Sequence, residues 1–313
     1  MRAIMSTSCG TVTTSSSLGK FMLVRKIAKE DLPLLGNADW IDPERSPYVE
    51  GGVAWVPVRP GEPYDAEIPE RAPYAGTGYY MMGDVAVIHG KKPSASALHE
   101  LIRFRHPRGV VWIEALQDST RTPKTELLSG TAGEVCHKES GYTYYLDPEK
   151  VMFSMGNRNE KARIATLVRE GCGSERVADM FAGIGYFTLT VAGAGAQVHA
   201  IEINPVAFGY LEQNIRCNGF TRQVTTTLGD CRDSLKGTYD RVIMGHFDAV
   251  TMLPATLPHI KTGSILHVHS IGSAVESIRD CVEGAGFSAT IQVHTVKKYR
   301  PHAWHVVQDV VIG

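Results

Sequence analysis

The chain has 313 residues, 43% of them hydrophobic, and a formal net charge of −1. That length can bury a large core and suggests about two domains, while the near-zero charge excludes a whole-molecule field that attracts a polyanion. Any nucleic-acid partner must therefore be held by a local basic face. No apolar run approaches the ~20 residues of a membrane span. The cysteines Cys9, Cys136, Cys172, Cys217, Cys231 and Cys281 form neither a Cys-x-x-Cys pair nor a zinc-like cluster with histidine, so no metal site or disulfide framework is indicated.

Residues 1–20 are rich in Ser and Thr without an apolar stretch and read as a disordered leader. Residues 21–78, with proline, glycine and acids around short apolar pieces at 53–58, predict an irregular N-terminal segment. Residues 79–150 predict a small α+β domain, with strands at 83–88, 109–114, 133–135 and 142–146 and helical spacing over 96–104. From 151 to 313 strand and helix alternate. Strands are expected at 176–180, 197–201, 224–228, 240–244 and 264–269. Asn204-Pro205 is a helix start, because Asn caps free amides and Pro stands where its missing N–H costs nothing; Asn218-Gly219 is the matching stop. After a helix near 274–284, strands at 290–296 and 305–312 are close enough to pair as an antiparallel edge hairpin. The expected fold is α/β, with no internal repeat.

The chemistry concentrates after the first strand of that last region. An apolar run ends at Asp179 and is followed by the glycine-rich turn Phe181-Ala182-Gly183-Ile184-Gly185, a helix, and a second apolar run ending at Glu202. This is the layout of a nucleotide-cofactor site, in which the turn lets backbone approach the ligand and the acid accepts hydrogen bonds from both ribose hydroxyls. A dinucleotide enzyme fits less well, because its third glycine would fall at Thr188. The Phe-Ala-Gly-x-Gly-x-Phe form is that of S-adenosylmethionine (SAM) enzymes, and five parallel strands plus an edge hairpin is the Rossmann-like class I SAM-dependent transferase architecture. Asp230, with Cys231, ends the third strand where an acid can hold the adenine amino group; its alternative role is to cap the next turn. Ser154, Asn157, Lys161 and Arg163 lie just ahead of the first strand. A cation there can pair with the carboxylate of the SAM amino-acid tail, or can belong to a solvated helix face.

The run from Gly83 to Ile88, Arg121 to Glu126, Leu146 to Ser154, Asn157, Lys161 and Asp179 to Gly185 resembles enzymes that modify the purine at position 37 of tRNA. Two families share this plan: the tRNA guanine-37 N1-methyltransferases and the wybutosine-synthesising aminocarboxypropyltransferases. The methyltransferases carry an Asn-Leu-Pro-like or Asn-Pro-Pro-like motif after the fourth strand. This chain has Met244-Gly245-His246-Phe247 there, and its glycine turn and fifth strand, residues 265–269, are similar to the aminocarboxypropyl branch.

The resemblance implies SAM as the group-donating cosubstrate, with contacts from Ser154, Lys161, Phe181, Ala182, Gly183, Glu202, Asp230 and Cys231. It implies transfer of the 3-amino-3-carboxypropyl group to C7 of 4-demethylwyosine in tRNA-Phe, by a cytoplasmic monomer without membrane attachment. The alternative is guanine-37 N1-methylation. His246 stands where that branch has an aromatic or aliphatic residue, and is the one candidate for a catalytic base; His267 and His269 alternate with apolar residues along a strand and need carry no chemistry. Two basic runs become phosphate contacts, through Arg103, Arg105 and Arg108 and through Lys297, Lys298 and Arg300; otherwise they are solvated loops.

Overall fold

The protein is described from a computed structural model, which covers residues 21–313 apart from 37, 70–73, 75, 77, 119, 172 and 173. The expected leader and the thiols Cys9 and Cys172 lie outside the described residues. These residues divide into two compact units between residues 75 and 76. No helix among them is long and apolar enough to cross a membrane.

The first unit is not irregular. Its strands β1 (Phe21–Ala28), β2 (Tyr48–Glu50), β3 (Val53–Pro57) and β4 (Ala66–Pro69) form an antiparallel sheet in the order β2-β3-β1-β4. Val24, Ala54 and Val56 are buried, and Lys26 lies 4.7 Å from the centre of the half-exposed Trp55 ring. Two of the strands have three or four residues, too short for alternation to show against the surrounding turn residues.

The second unit opens with β5 (Tyr80–Met82), β6 (Val85–His89), α1 (Ala95–Arg105), β7 (Gly109–Gln117) and β8 (Thr122–Gly130), in sheet order β5-β6-β7-β8. β6 and β7 are parallel, joined through α1, whose N-terminus is capped by the Ser94 hydroxyl. β8 is absent from the sequence expectation. It is an edge strand, the position that tolerates Pro123. β9 (Val135–Glu139) and β10 (Tyr142–Leu146) form a hairpin whose turn residues Ser140 and Gly141 have φ of 52° and 85°. The expected strand 133–135 ends where β9 begins.

The remainder runs α2 (Arg158–Glu170), β11 (Arg176–Asp179), α3 (Thr188–Gly193), β12 (Gln197–Glu202), α4 (Pro205–Cys217), β13 (Val224–Leu228), α5 (Cys231–Ser234), β14 (Arg241–Met244), α6 (Leu253–Thr256), β15 (Ile265–Ile271), α7 (Val275–Gly284), β16 (Ala289–Arg300) and β17 (Ala303–Ile312). The sheet order is β13-β12-β11-β14-β15-β17-β16. The first five strands are parallel; β17 is antiparallel to both β15 and β16. This is the expected Rossmann-like transferase sheet. Met82 and Val87 share one core with Phe153, Ile164 and Val198, so no break in packing falls at residue 150. Asn214, fully buried on α4, accepts from the Tyr145 amide at 2.7 Å and donates to the Ile184 carbonyl at 2.9 Å, tying the β9–β10 hairpin to the glycine turn.

Candidate active site

The strand order reverses between β11 and β14, and in an open parallel sheet the crevice beyond the carboxyl ends at that point receives ligands. A cavity of about 1150 Å³ lies there, walled by the strand ends and by Tyr80 and His89 of the smaller sheet. The turn after β11 is closed on itself. Asp179 Oδ2 accepts from the Thr188 amide at 3.0 Å and its hydroxyl at 2.7 Å, so Thr188 locks the helix start onto the strand end. Gly183 has φ +57°, and a Cβ there would come within 2.3 Å of the Tyr186 ring. Burial raises the Asp179 carboxyl to about 6.

Glu202 ends β12 almost wholly buried. One carboxylate oxygen accepts from the Gly183 amide and the other from the Asn204 amide, each at 2.7 Å. Each oxygen keeps a lone pair for a further donor, which is the requirement of a vicinal diol. Burial pushes this carboxyl above its ordinary pKa, against the two amide bonds. Asp230 takes the capping role foreseen as its alternative while standing on the cavity wall. It caps α5 by accepting from the Arg232 amide at 2.9 Å; the bound Arg232 guanidinium lowers its pKa. Cys231 beside it is buried, which pushes its thiol up to about 11.

Ser154, Asn157, Phe181 and Gly183 line the cavity, whereas Ala182 is fully buried behind the turn. Lys161 is not on the wall. Its side chain is 2% exposed, with the ammonium ion-paired with Glu139 and set among the rings of Tyr144, Phe153 and Tyr186. Arg163 is held by Glu160 and Asp309. Both cations ahead of β11 therefore already have carboxylate partners. The Glu139 partnership was invisible in sequence because it reaches across 22 residues from another hairpin.

His246 is on the wall. Its ring stacks on Phe181 at 5.3 Å between centroids, and its Nδ1 accepts from the Asp248 amide at 3.1 Å. Burial and the nearby Arg121 lower its pKa. His267 and His269 are both buried in β15. His267 Nδ1 donates to Asp309 at 2.6 Å while its Nε2 faces Arg241 at 2.7 Å, an assignment that the two partners fix as the neutral ring. His269 Nδ1 is 2.9 Å from Nε2 of His305, whose ring does reach the cavity. Sequence reasoning missed His305. Its signal was the hairpin register, in which it faces Lys297 across β16 and β17.

The cations of the two basic runs stand in different surroundings. Arg103, Arg105, Lys298 and Arg300 are exposed. Arg108 is exposed too, but its guanidinium is taken up by Asp84 at 2.8 Å and the carbonyls of Ala132 and Glu134 at 2.7 and 3.1 Å, a bracket that holds its own sheet together, and Arg105 bonds the Tyr79 hydroxyl. Lys297 is half-buried in the cavity wall.

A family profile described as the TRM5/TYW2 methyltransferase domain matches residues 135–290. The chain is 34% identical over 247 residues to a tRNA(Phe) (4-demethylwyosine(37)-C(7)) aminocarboxypropyltransferase of Methanocaldococcus jannaschii, covering 75% of this chain and 97% of the relative. A crystal structure of M. jannaschii TYW2 in complex with AdoMet is 30% identical, with a TM-score of 0.59 over 74% of this chain and 98% of that one. Wild-type Trm5b from Pyrococcus abyssi shares the fold at 24% identity, with a TM-score of 0.69 over 93% of this chain and 99% of that one. With this identity along nearly the whole of a curated relative, the chain belongs to the tRNA(Phe) (4-demethylwyosine(37)-C(7)) aminocarboxypropyltransferase family, a branch of the TRM5/TYW2 group.

Proposed function

We propose that the protein transfers the 3-amino-3-carboxypropyl group of SAM to C7 of 4-demethylwyosine at position 37 of tRNA-Phe, releasing 5′-methylthioadenosine. The observation that carries this reading is the near full-length similarity to an enzyme named for that reaction. The cavity lining supports it: Glu202, with two free lone pairs, is the proposed acceptor for the ribose, Phe181 and the Asp230–Cys231 pair are the proposed adenine contacts, and Ser154 and Asn157 the proposed contacts to the amino-acid tail. SAM is consumed and is a substrate here. Its sulfonium activates three carbons, and the carbon aligned with the nucleophile decides which group moves.

In the proposed step C7 forms a bond to the methionine γ-carbon, and the γ-carbon–sulfur bond breaks with its electron pair staying on sulfur. C7 then loses its proton. His246 is the proposed acceptor: it lies on the wall and its lowered pKa keeps the ring neutral at pH 7, with Nδ1 accepting from the Asp248 amide and the ring proton on Nε2, so Nδ1 must release that amide to take the C7 proton. We place the enzyme in the cytoplasm, with its tRNA, as a monomer.

Guanine-37 N1-methylation is the second reading, favoured by the longer structural overlap with Trm5b, 93% of this chain against 74% for the TYW2 structure. It is disfavoured by the residues after β14, where Gly245-His246 stands in place of the methyltransferases' Asn-Leu-Pro-like or Asn-Pro-Pro-like motif. Chromatography of the nucleoside by-product decides between them. Methylthioadenosine is expected, and S-adenosylhomocysteine would overturn the proposal.

A further inference from the structure

The cations placed by sequence beside the amino-acid tail, Lys161 and Arg163, are both paired with carboxylates. A third cation comes to the same segment from far along the chain. Lys297 of β16 lies against Gly156, close enough that a Cβ at that glycine would come within 2.3 Å of its Nζ and 2.9 Å of its Cδ. Gly156 stands between Ser154 and Asn157 on the cavity wall. Among the described residues Lys297 has no hydrogen-bond or ion-pair partner, although it is half-buried. Among the described residues the charges that act on its ammonium are positive. Arg121 lies nearby over the Phe247 ring, Lys161 is close, and both, together with burial, hold the ammonium below the usual lysine range. Its cross-strand neighbour His305 is neutral, with its pKa lowered to about 4.

A half-buried ammonium without a counter-ion is costly, and the cost falls when a ligand brings the anion. The sheet order says which part of a ligand that is. Glu202 and the Asp230 turn lie at β12 and β13, toward one edge, and Lys297 is on β16 at the other, with the switch point between them. A nucleoside held at the first edge directs the remainder of SAM toward the second.

We propose that Lys297 binds the α-carboxylate of SAM, and so holds the group that is transferred and sets the position of its γ-carbon. This rests on the function proposed above, in which that carboxylate travels with the transferred group. It replaces the role in tRNA phosphate binding expected for Lys297 from the sequence.

The test compares two ligands by calorimetry, SAM and methylthioadenosine, the second of which lacks the carboxylate. Lys297→Met should weaken SAM by about 10-fold or more and leave methylthioadenosine unchanged, while Lys297→Arg should recover part of the SAM affinity. In turnover, Lys297→Met should raise the KM for SAM and lower kcat, with the KM for tRNA unchanged. Unchanged SAM affinity together with a shallower salt dependence of tRNA binding would overturn the proposal and return Lys297 to the phosphate-binding set. Equal weakening of both ligands would also overturn it, since that reports general damage to the site. Absence of SAM binding by the unmodified protein would instead sink the proposed function, and this inference with it.

Discussion

Glu202 and Asp179 end neighbouring strands, yet burial gives them different tasks. Glu202 has both oxygens engaged by backbone amides and both still able to accept. Glu202→Ala should weaken SAM binding by about 1.5–3 kcal/mol, the cost of removing a charge-assisted acceptor; unchanged affinity in a folded variant would contradict the assignment. Asp179 serves the turn itself through Thr188. Its pKa is raised from 3.8 to about 6, so between those values the folded state binds more protons than the unfolded one and stability falls as pH rises. The penalty builds through that window and levels off about a unit above the folded value. Asp179→Asn keeps an acceptor for Thr188 and removes the charge. Urea denaturation should therefore show the variant gaining on the parent between pH 4 and pH 7, and a constant difference would contradict the burial account. Both acids were legible in the sequence because strand end, turn and helix start are local. The partners of Lys161 and the placement of Lys297 were not, because each depends on contacts between distant strands and hairpins.

At the scale of elements, alternation of strand and helix made the parallel sheet readable, and Asn204-Pro205 fixed a helix start that the structure keeps. What failed to read shares a cause. The first unit has short strands between turn residues, and β8 carries Pro123 and charges on an exposed edge, so neither presents a periodic apolar face. The basic runs separate by the same logic. On α1 and the β16–β17 hairpin, Arg103, Arg105, Lys298 and Arg300 are exposed, while the bonds of Arg108 hold its own sheet. Replacing a phosphate-contacting cation should lower the slope of log K against log salt by roughly 0.7–0.9. That change is expected for tRNA binding by alanine variants at Arg103, Arg105, Lys298 and Arg300, and not at Arg108. An unaltered slope at all four would make these runs ordinary surface.

On the scale of the whole molecule, one sheet brings together acids from β12 and β13, an aromatic and a histidine from the turns after β11 and β14, and a cation from the β16–β17 hairpin. Methyl transfer and aminocarboxypropyl transfer use the same donor and differ in which carbon faces the acceptor. A rigid tail position makes one outcome dominate. The most direct measurement uses SAM labelled separately in its carboxyl carbon and in its methyl group, incubated with tRNA-Phe that already carries 4-demethylwyosine. Carboxyl label is expected in the tRNA and methyl label in methylthioadenosine; methyl label in the tRNA, accompanied by S-adenosylhomocysteine, would contradict the account.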